Sequence, residues 1–375
     1  MTAALKIALL SDWFFPRWGG LEQHILDLAH QLQARGHEVH VLTSFPGPEE
    51  MDGIPVVRLP GLRFPYFGFV ISPLPFRRLK QVLEGRRYDV VHIHTSYIAP
   101  FAWGSAYVCQ KMGVPTLMTF HSMLLQFARV LKIADHLLHW SSWRVVFTAV
   151  SAVVGKELEP ILRQPLPILP NGTDVAFWKA LAPQARPPET LRLVSVMRFG
   201  PRKRGAGLVR IFARFLSRLP AGSRPAHLTI VGDGRLRWQI QLIIIRLGLG
   251  SKTTLTGFLP RTDLRQVFQN SDIFILPGRV ESFGISALEA RSAGLPVVVH
   301  AGAGAAAFIR QGREGLVAGT DEEMATCLLR LATDENLRLA IADHNRTTWP
   351  DFDWSRVVFL HEDLYRRTIE DHGHH

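Results

Sequence analysis

Apolar positions along the chain fall into short continuous blocks separated by stretches of helical period. Residues 5–10 (LKIALL) are apolar around one lysine, which predicts a strand buried on both faces. From Leu21 to Arg35 the period changes: Leu21, Ile25, Leu28, Ala29 and Leu32 share one helical face, and Gly36 supplies the stop. Residues 38–43 (EVHVLT) predict the next strand. A strand–helix–strand unit makes its two strands parallel and its domain a layered α/β one. The alternation continues with a strand at 88–94 (YDVVHIH), a helix near 98–112, and strands at 114–120 and 145–151.

The alternation then stops and restarts. Residues 180–190 (ALAPQARPPET) hold three prolines and little apolar content, the composition of a linker. Beyond them the pattern predicts strands at 191–197, 226–232, 253–258, 272–277 and 296–300. Helices at 205–219, 235–247, 262–270 and 284–293 separate or follow them. A last helix near 353–370 carries Val357, Val358, Leu360 and Leu364. The expected division is a first domain at 1–178, a linker at 179–190, a second domain at 191–350 and a closing helix at 351–371. Two doubly wound halves predict a cleft between them, with ligand at the carboxyl ends of the strands.

Composition narrows the class. With 47% apolar and 20% charged residues the chain is neither disordered nor fibrous, and 375 residues suit two domains. Two cysteines, Cys109 and Cys327, make no disulfide framework and fit a reducing compartment. No run of 18 apolar residues predicts a spanning helix, and MTAALKIALLSDW is too short for a signal peptide, so the expected location is cytoplasmic. His372, His374 and His375 read as a frayed tail or a tag remnant. The formal charge is +11, and 35 of the 43 basic residues are arginine, the better fork for phosphate. The arginines are dispersed and form no recognition module, so nucleic acid is not an expected partner.

Four segments have the residue types for chemistry. In PGRVESFGISALEARSAGLPVV (277–298) a strand ends at Pro277 and a helix starts near Phe283-Gly284, where free N–H groups attract an anion. Glu281 before that point and Glu289 beyond it are carboxylates for adjacent sugar hydroxyls, or simply acids favoured by the helix dipole. In VMRFGPRKRGAG (196–207), Arg198 and Lys203 follow a strand and form either a diphosphate clamp or a solvated basic turn. Gly19-Gly20 precedes a helix and either approaches a ligand or makes a plain turn. His121 ends a strand, where it is a hydrogen-bond partner for a hydroxyl, an acid or base, or a structural histidine. His92 and His94 alternate on one strand, but no cysteine or acid has suitable spacing, so no metal site is expected. Gly302 to Ala307 with Glu322 mimics a dinucleotide fingerprint, yet it lies late in the second half and Gly312 and Gly315 cut its helix short.

In order along the chain, GGLEQHILDLAHQLQARGHEVHVLT (19–43), VVHIH (90–94), TFH (119–121), VSAVVGKEL (150–158), LPNGTDVAFW (169–178), MRFGPRK (197–203), IVGDG (230–234) and ESFGISALEARSAGLPVV (281–298) resemble the retaining glycosyltransferases of family 4 with the GT-B fold. Residues 11–37 look most like the branch that glycosylates phosphatidylinositol, including bacterial phosphatidylinositol mannosyltransferases and the GPI-anchor N-acetylglucosaminyl subunit. The resemblance implies two Rossmann-like α/β domains, with the C-terminal helix crossing back to the first. It implies a UDP- or GDP-sugar donor, no cofactor and no metal. Glu281 and the turn Ser282, Phe283, Gly284 and Ile285 would face the donor hexose. Glu289 would take the ribose hydroxyls, and Arg198 and Lys203 the diphosphate. Gly19 and Gly20 would pack against donor phosphate, and His121 would meet an outer sugar hydroxyl. His121, Glu281, Arg198 and Lys203 would thus be the catalytic set. Two positions depart from the pattern: Arg204 replaces a usual glycine, and Ala307 a usual acid.

Two stretches bear on the acceptor. Residues 59–76 (LPGLRFPYFGFVISPLPF) are aromatic and proline-rich with one charge, Arg63. In 123–144, Arg129, Lys132, His136, His139 and Arg144 intersperse an apolar run with Trp140 and Trp143, the composition of an interfacial helix or of a core helix with exposed basics. The expectation is a transferase held peripherally on an anionic membrane surface, acting on a lipid or glycan acceptor. A soluble acceptor, or a catalytically silent sugar-nucleotide-binding partner, is the alternative.

Overall fold

The computed structural model describes residues 3–373 apart from 65–69, 71, 97, 126, 163–165 and 180–188. Residues 180–188 of the expected linker, and 65–69 and 71 of the aromatic stretch at 59–76, therefore lie outside the described residues. The chain forms two compact units, Met1–Gly172 with Trp354–His375, and Thr173–Asp353.

The first unit holds a seven-stranded sheet of β1 (Lys6–Ser11), β2 (Glu38–Thr43), β3 (Glu50–Met51), β4 (Ile54–Arg58), β5 (Val90–Thr95), β6 (Thr116–Phe120) and β7 (Val146–Ala149). Its order is β3-β4-β2-β1-β5-β6-β7, parallel except for the short β3 edge. Every residue of β5 and β6 is buried, as continuous apolar strands covered on both faces must be. The helix Gly20–Ala34 buries Ile25, Leu28, Ala29 and Leu32, as its period predicts. Gly36 is left-handed (φ +89) and lets the His37 N–H reach back to the Leu32 carbonyl at 3.2 Å.

The second unit holds β8 (Leu191–Val196), β9 (Ala226–Val231), β10 (Thr253–Gly257), β11 (Ile273–Leu276), β12 (Val297–His300) and β13 (Gly315–Ala318) in the order β10-β9-β8-β11-β12-β13. All its pairings are parallel. Phe212 and Phe215 pack with Leu193, Ile230 and Val298 in one core. In both sheets the chain winds outward one way and then the other, the doubly wound order that leaves a switch point between β1 and β5 and between β8 and β11.

The last helix, Trp354–Gly373, belongs to the first unit. Val357 and Val358 are buried as expected, but Leu360 is exposed and Leu364 only half-buried. The inward face is instead largely polar: Trp354, His361, Glu362 and Tyr365 are buried. Glu362 accepts hydrogen bonds from Arg35 at 2.6 and 2.9 Å and contacts His37 Nε2 at 2.8 Å. His372 lies within this helix, its Nδ1 bonded to the Thr368 carbonyl at 3.0 Å, so it is no part of a frayed tail.

The run 123–144 departs in part from expectation. A helix spans Phe127–Leu138 and buries none of its residues, leaving Val130, Ile133, Leu137 and Leu138 exposed. Trp140, expected at an interface, is buried and donates its indole N–H to the Leu131 carbonyl at 3.0 Å. Among the described residues no helix is long and apolar enough to cross a membrane.

Candidate functional site

In the second unit, β8 and β11 are neighbours, so the loops leaving their carboxyl ends lie at the switch point. The first loop carries Arg198 and Lys203, and the second carries Glu281. Lys203 Nζ and a Glu281 carboxylate oxygen form an ion pair, with the glutamate side chain 9% exposed and the lysine 34%. Two residues 78 positions apart in sequence thus face each other, while Arg198 is exposed on the same loop.

The glycines of IVGDG explain how the first loop is held. A Cβ on Gly234 would lie 2.6 Å from the Phe199 carbonyl oxygen, and one on Gly232 would collide with the Met197 carbonyl. With glycine there, the Phe199 N–H reaches the Asp233 carbonyl at 2.8 Å and the Leu236 N–H the Phe199 carbonyl at 3.2 Å. The second loop is held in the same way. The Gly304 N–H donates to the Glu281 carbonyl at 2.6 Å, and a Cβ on Gly304 would collide with the Ser282 carbonyl. The segment 302–307 therefore buttresses this turn. It forms only the short 3-10 turn Gly304–Ala307 and opens no α-helix there. Gly304→Ala is expected to displace Ser282 and Phe283 and to raise the Michaelis constant for donor more than it lowers thermal stability. Steady-state kinetics beside a melting curve checks this.

Gly284 is left-handed (φ +89) and caps the helix Ile285–Ser292, its carbonyl accepting from the Ala287 and Leu288 N–H groups at 2.9 and 3.1 Å. Its glycine is thus required by backbone conformation as well as by close approach. Ser286 Oγ donates to the Val196 carbonyl at 3.1 Å, tying this helix to the end of β8. Phe283 and Gly284 are buried, whereas Ser282 and Ile285 are half-buried. Glu289 is buried on this helix with Arg261 Nη2 at 3.7 Å.

Arg204 also has a physical reason for replacing a glycine-type residue. It is left-handed (φ +58), the conformation that favours glycine. Its guanidinium donates to the Pro277 carbonyl at 3.0 Å and to both Asp321 oxygens at 2.9 and 2.6 Å. The side chain therefore ties one switch-point loop to the other. Ala307 is exposed.

In the first unit Gly19 is extended (φ −178), and a Cβ there would collide with the carboxylate of Glu22, which is buried and lies 3.4 Å from Arg17 Nε. Gly20 begins the helix. His121 follows β6 and is 8% exposed. Burial, then the neighbouring His361, pulls it down to about 3. At neutral pH His121 is thus an uncharged imidazole, with one ring nitrogen to donate a hydrogen bond and the other to accept one.

His121 belongs to a cluster of five buried histidines, His24, His92, His94, His121 and His361, that sequence spacing does not reveal. His94 Nδ1 lies 3.0 Å from His121 Nε2. His24, from the helix Gly20–Ala34, has its ring 5.2 Å from that of His121 and stacks on Trp354 at 5.3 Å. His92 contacts the Tyr365 hydroxyl at 2.8 Å and Thr119 at 2.7 Å, and the His361 ring is 5.7 Å from it. One ring nitrogen each of His24, His94 and His121 lies within 4.8 Å of the other two. These three come from a helix and two strand ends, so the spacing around His92 and His94 gave no sign of the group.

Residues 18–177 match the model of Glycosyltransferase Family 4, and residues 177–348 match that of Glycosyl transferases group 1. The chain is 24% identical to an uncharacterized glycosyltransferase of Methanocaldococcus jannaschii, over 98% of this chain and 100% of that one. It is 23% identical to the alpha-monoglucosyldiacylglycerol synthase of Acholeplasma laidlawii, covering 87% and 88%. It is 27% identical to a component of the human phosphatidylinositol N-acetylglucosaminyltransferase, covering 79% of this chain and 62% of that one. Among solved structures, Anabaena HepE in complex with UDP-glucose is similar with a TM-score of 0.78 at 18% identity, over 97% of this chain and 100% of that one. The phosphatidylinositol branch is thus one of several similar groups. The two models together account for residues 18–348, and with both Rossmann-like sheets in place they support a glycosyltransferase of GT-B fold.

Proposed function

We propose that this chain is a retaining transferase that moves a hexosyl or N-acetylhexosaminyl unit from a UDP- or GDP-sugar to a membrane lipid or lipid-linked glycan, working peripherally at the cytoplasmic face of the membrane. The observation that carries the reading is the Lys203–Glu281 ion pair at the β8–β11 switch point, beside Arg198 and the Gly284 helix start. An arriving diphosphate competes for Lys203 and takes Arg198 as a second cation. Glu281 is then released toward the sugar hydroxyls, and Glu289 serves the ribose. The bond from the anomeric carbon to the diphosphate breaks while the acceptor oxygen bonds that carbon on the same face, and the acceptor proton passes to the departing phosphate oxygen. Charge developing on that oxygen is what Arg198 and Lys203 stabilise. His121, neutral, meets an outer hydroxyl of the sugar, and Gly19 and Gly20 pack near donor phosphate. The reaction in this reading uses no metal.

The names of relatives favour a lipid acceptor: one makes glucosyldiacylglycerol, another acts on phosphatidylinositol, and GDP-mannose-dependent alpha-mannosyltransferases of Mycolicibacterium smegmatis and Mycobacterium tuberculosis also match. The test is a panel of UDP- and GDP-sugars by thermal shift, since a bound donor raises the melting temperature. The donor that does so is then offered with membrane lipid extract and with soluble glycans. An α-linked lipid product by proton NMR is expected from an α-linked donor. A β product removes retention, and transfer to soluble glycans alone puts the soluble-acceptor reading ahead.

The helix Phe127–Leu138 supplies the membrane contact in this reading. Its exposed Val130, Ile133, Leu137 and Leu138 lie beside Arg129, Lys132 and His136. Apolar insertion and attraction of basic side chains, about 1 kcal/mol each near an anionic surface, add to reversible binding. Co-sedimentation with anionic but not neutral vesicles is expected, reduced by salt and by the combined change Arg129→Glu, Lys132→Glu and Arg144→Glu. Equal binding to both vesicle types, or to neither, counts against it.

A further inference from the structure

We propose that the first unit carries a site for one zinc-class divalent ion, built from His24, His94 and His121. One ring nitrogen from each lies within 4.8 Å of the other two, and all three side chains are buried. Two ring nitrogens of this set, His24 Nδ1 and His94 Nε2, are buried with no hydrogen-bond partner among the described residues. An unpartnered polar atom in a core is costly, and a metal ion is a partner that a lone pair can take.

The ligand set is three histidines and not five. Both ring nitrogens of His92 are engaged outside the set, by the Tyr365 hydroxyl and by Thr119, whereas Nε2 of His121 contacts Nδ1 of His94 within it, at 3.0 Å, a contact the ion would replace. His361 commits Nδ1 to the Val357 carbonyl at 2.9 Å. These rings, with Trp354 stacked on His24, wall the site, and the Asn171 side chain hydrogen-bonds His121. Burial keeps the three imidazoles uncharged, the form that binds a metal. Three neutral nitrogens without a carboxylate suit zinc, cobalt, nickel or copper and not magnesium or calcium. Three protein ligands also leave one coordination position open.

The site has a consequence that rests on the donor role of His121 proposed above. A metal that takes the His121 ring nitrogen removes it from the sugar, so metal binding and transfer exclude each other. Zinc is then an inhibitor that a chelator reverses.

The test titrates Co²⁺ into the full chain carrying His372→Ala, His374→Ala and His375→Ala, which removes the adventitious ligands of the C-terminus. One Co²⁺ per chain is expected, with visible ligand-field bands that Zn²⁺ abolishes. His24→Gln and His94→Gln are each expected to weaken Co²⁺ binding more than about 100-fold, beyond the roughly 10–100-fold that an outer partner of a metal site costs. Absence of the bands, or affinity unchanged in both variants, overturns the site. Should either variant fail to fold by near-ultraviolet circular dichroism, X-ray absorption of the Co²⁺-loaded parent decides: three imidazoles support the site and fewer overturn it. Transfer is measured in parallel with and without Zn²⁺. If the metal binds as expected and transfer continues unchanged, the metal site stands and the sugar contact of His121 falls.

Discussion

Arg198→Ala and Lys203→Ala are each expected to weaken donor binding by about 10- to 150-fold, the equivalent of losing a charge-assisted hydrogen bond worth about 1.5–3 kcal/mol. The two changes should differ in kind. Arg198 is exposed, so its loss removes only attraction for the diphosphate. Lys203 is paired with Glu281, whose side chain is 9% exposed, so Lys203→Ala also strands a carboxylate in a poorly hydrated place. It should therefore lower turnover as well as affinity, and adding Glu281→Gln should restore part of the loss. Contacting pairs commonly couple by about 0.5–3 kcal/mol in double-mutant cycles. Calorimetric titration of nucleotide diphosphate and of donor, with steady-state kinetics, on the two single changes and the Lys203–Glu281 cycle reads all of this. If both single variants bind donor like the parent, the diphosphate assignment is wrong. Additivity in the cycle leaves the ion pair without a role in the site.

Glu314→Ala is expected to cost about 3–5 kcal/mol of stability in the second unit, the usual consequence of removing one partner of a buried ionic network. Glu314 is fully buried at the turn before β13. It accepts the Arg310 backbone N–H at 2.8 Å and the Arg310 side chain, with His344 Nε2 at 3.2 Å and Arg291 Nη2 at 3.7 Å. Burial alone pushes its carboxyl upward, but the bonds from Arg310 and His344 and the charge of Arg291 outweigh it and hold the group at about 2. The folded value lies below the unfolded one near 4.5, so this stabilisation is present above pH 4.5 and drains away as pH falls toward about 2. Hydrogen exchange of the β12 and β13 amides between pH 7 and 3 follows it. Flat protection across that range, or a Glu314→Gln variant as stable as the parent at pH 7, contradicts the account.

The parallel strands were legible because their apolar runs are continuous: β5, β8 and β12 lie within a residue or two of their expected limits. The helices of period 3.6 were equally plain. The helices Leu74–Arg86 and Ala152–Leu162 were not, because prolines head the first and interrupt the second. The switch-point residues could be named because Arg198, Lys203 and Glu281 each follow a strand end. That Lys203 and Glu281 touch could not be read, since the contact depends on β8 and β11 being neighbours across 78 residues. The polar face of Trp354–Gly373 escaped for a related reason. Its apolar period points to Leu360, whereas the buried contacts are made by Glu362 and Tyr365, whose partners lie more than 250 positions away.

That same helix sets the order in which the molecule is finished. The strands β1 to β7 are translated first, then the whole of the second unit, and Trp354–Gly373 only after both. Until then Arg35 and His37 lack Glu362, His92 lacks the Tyr365 hydroxyl and His24 lacks the Trp354 ring. The half that is synthesised first is thus the half completed last, while the second unit, continuous in the chain, has all its residues translated before that helix. Throughout translation of the second unit the first sheet therefore keeps its histidine face uncovered, because the helix that closes it has yet to be made.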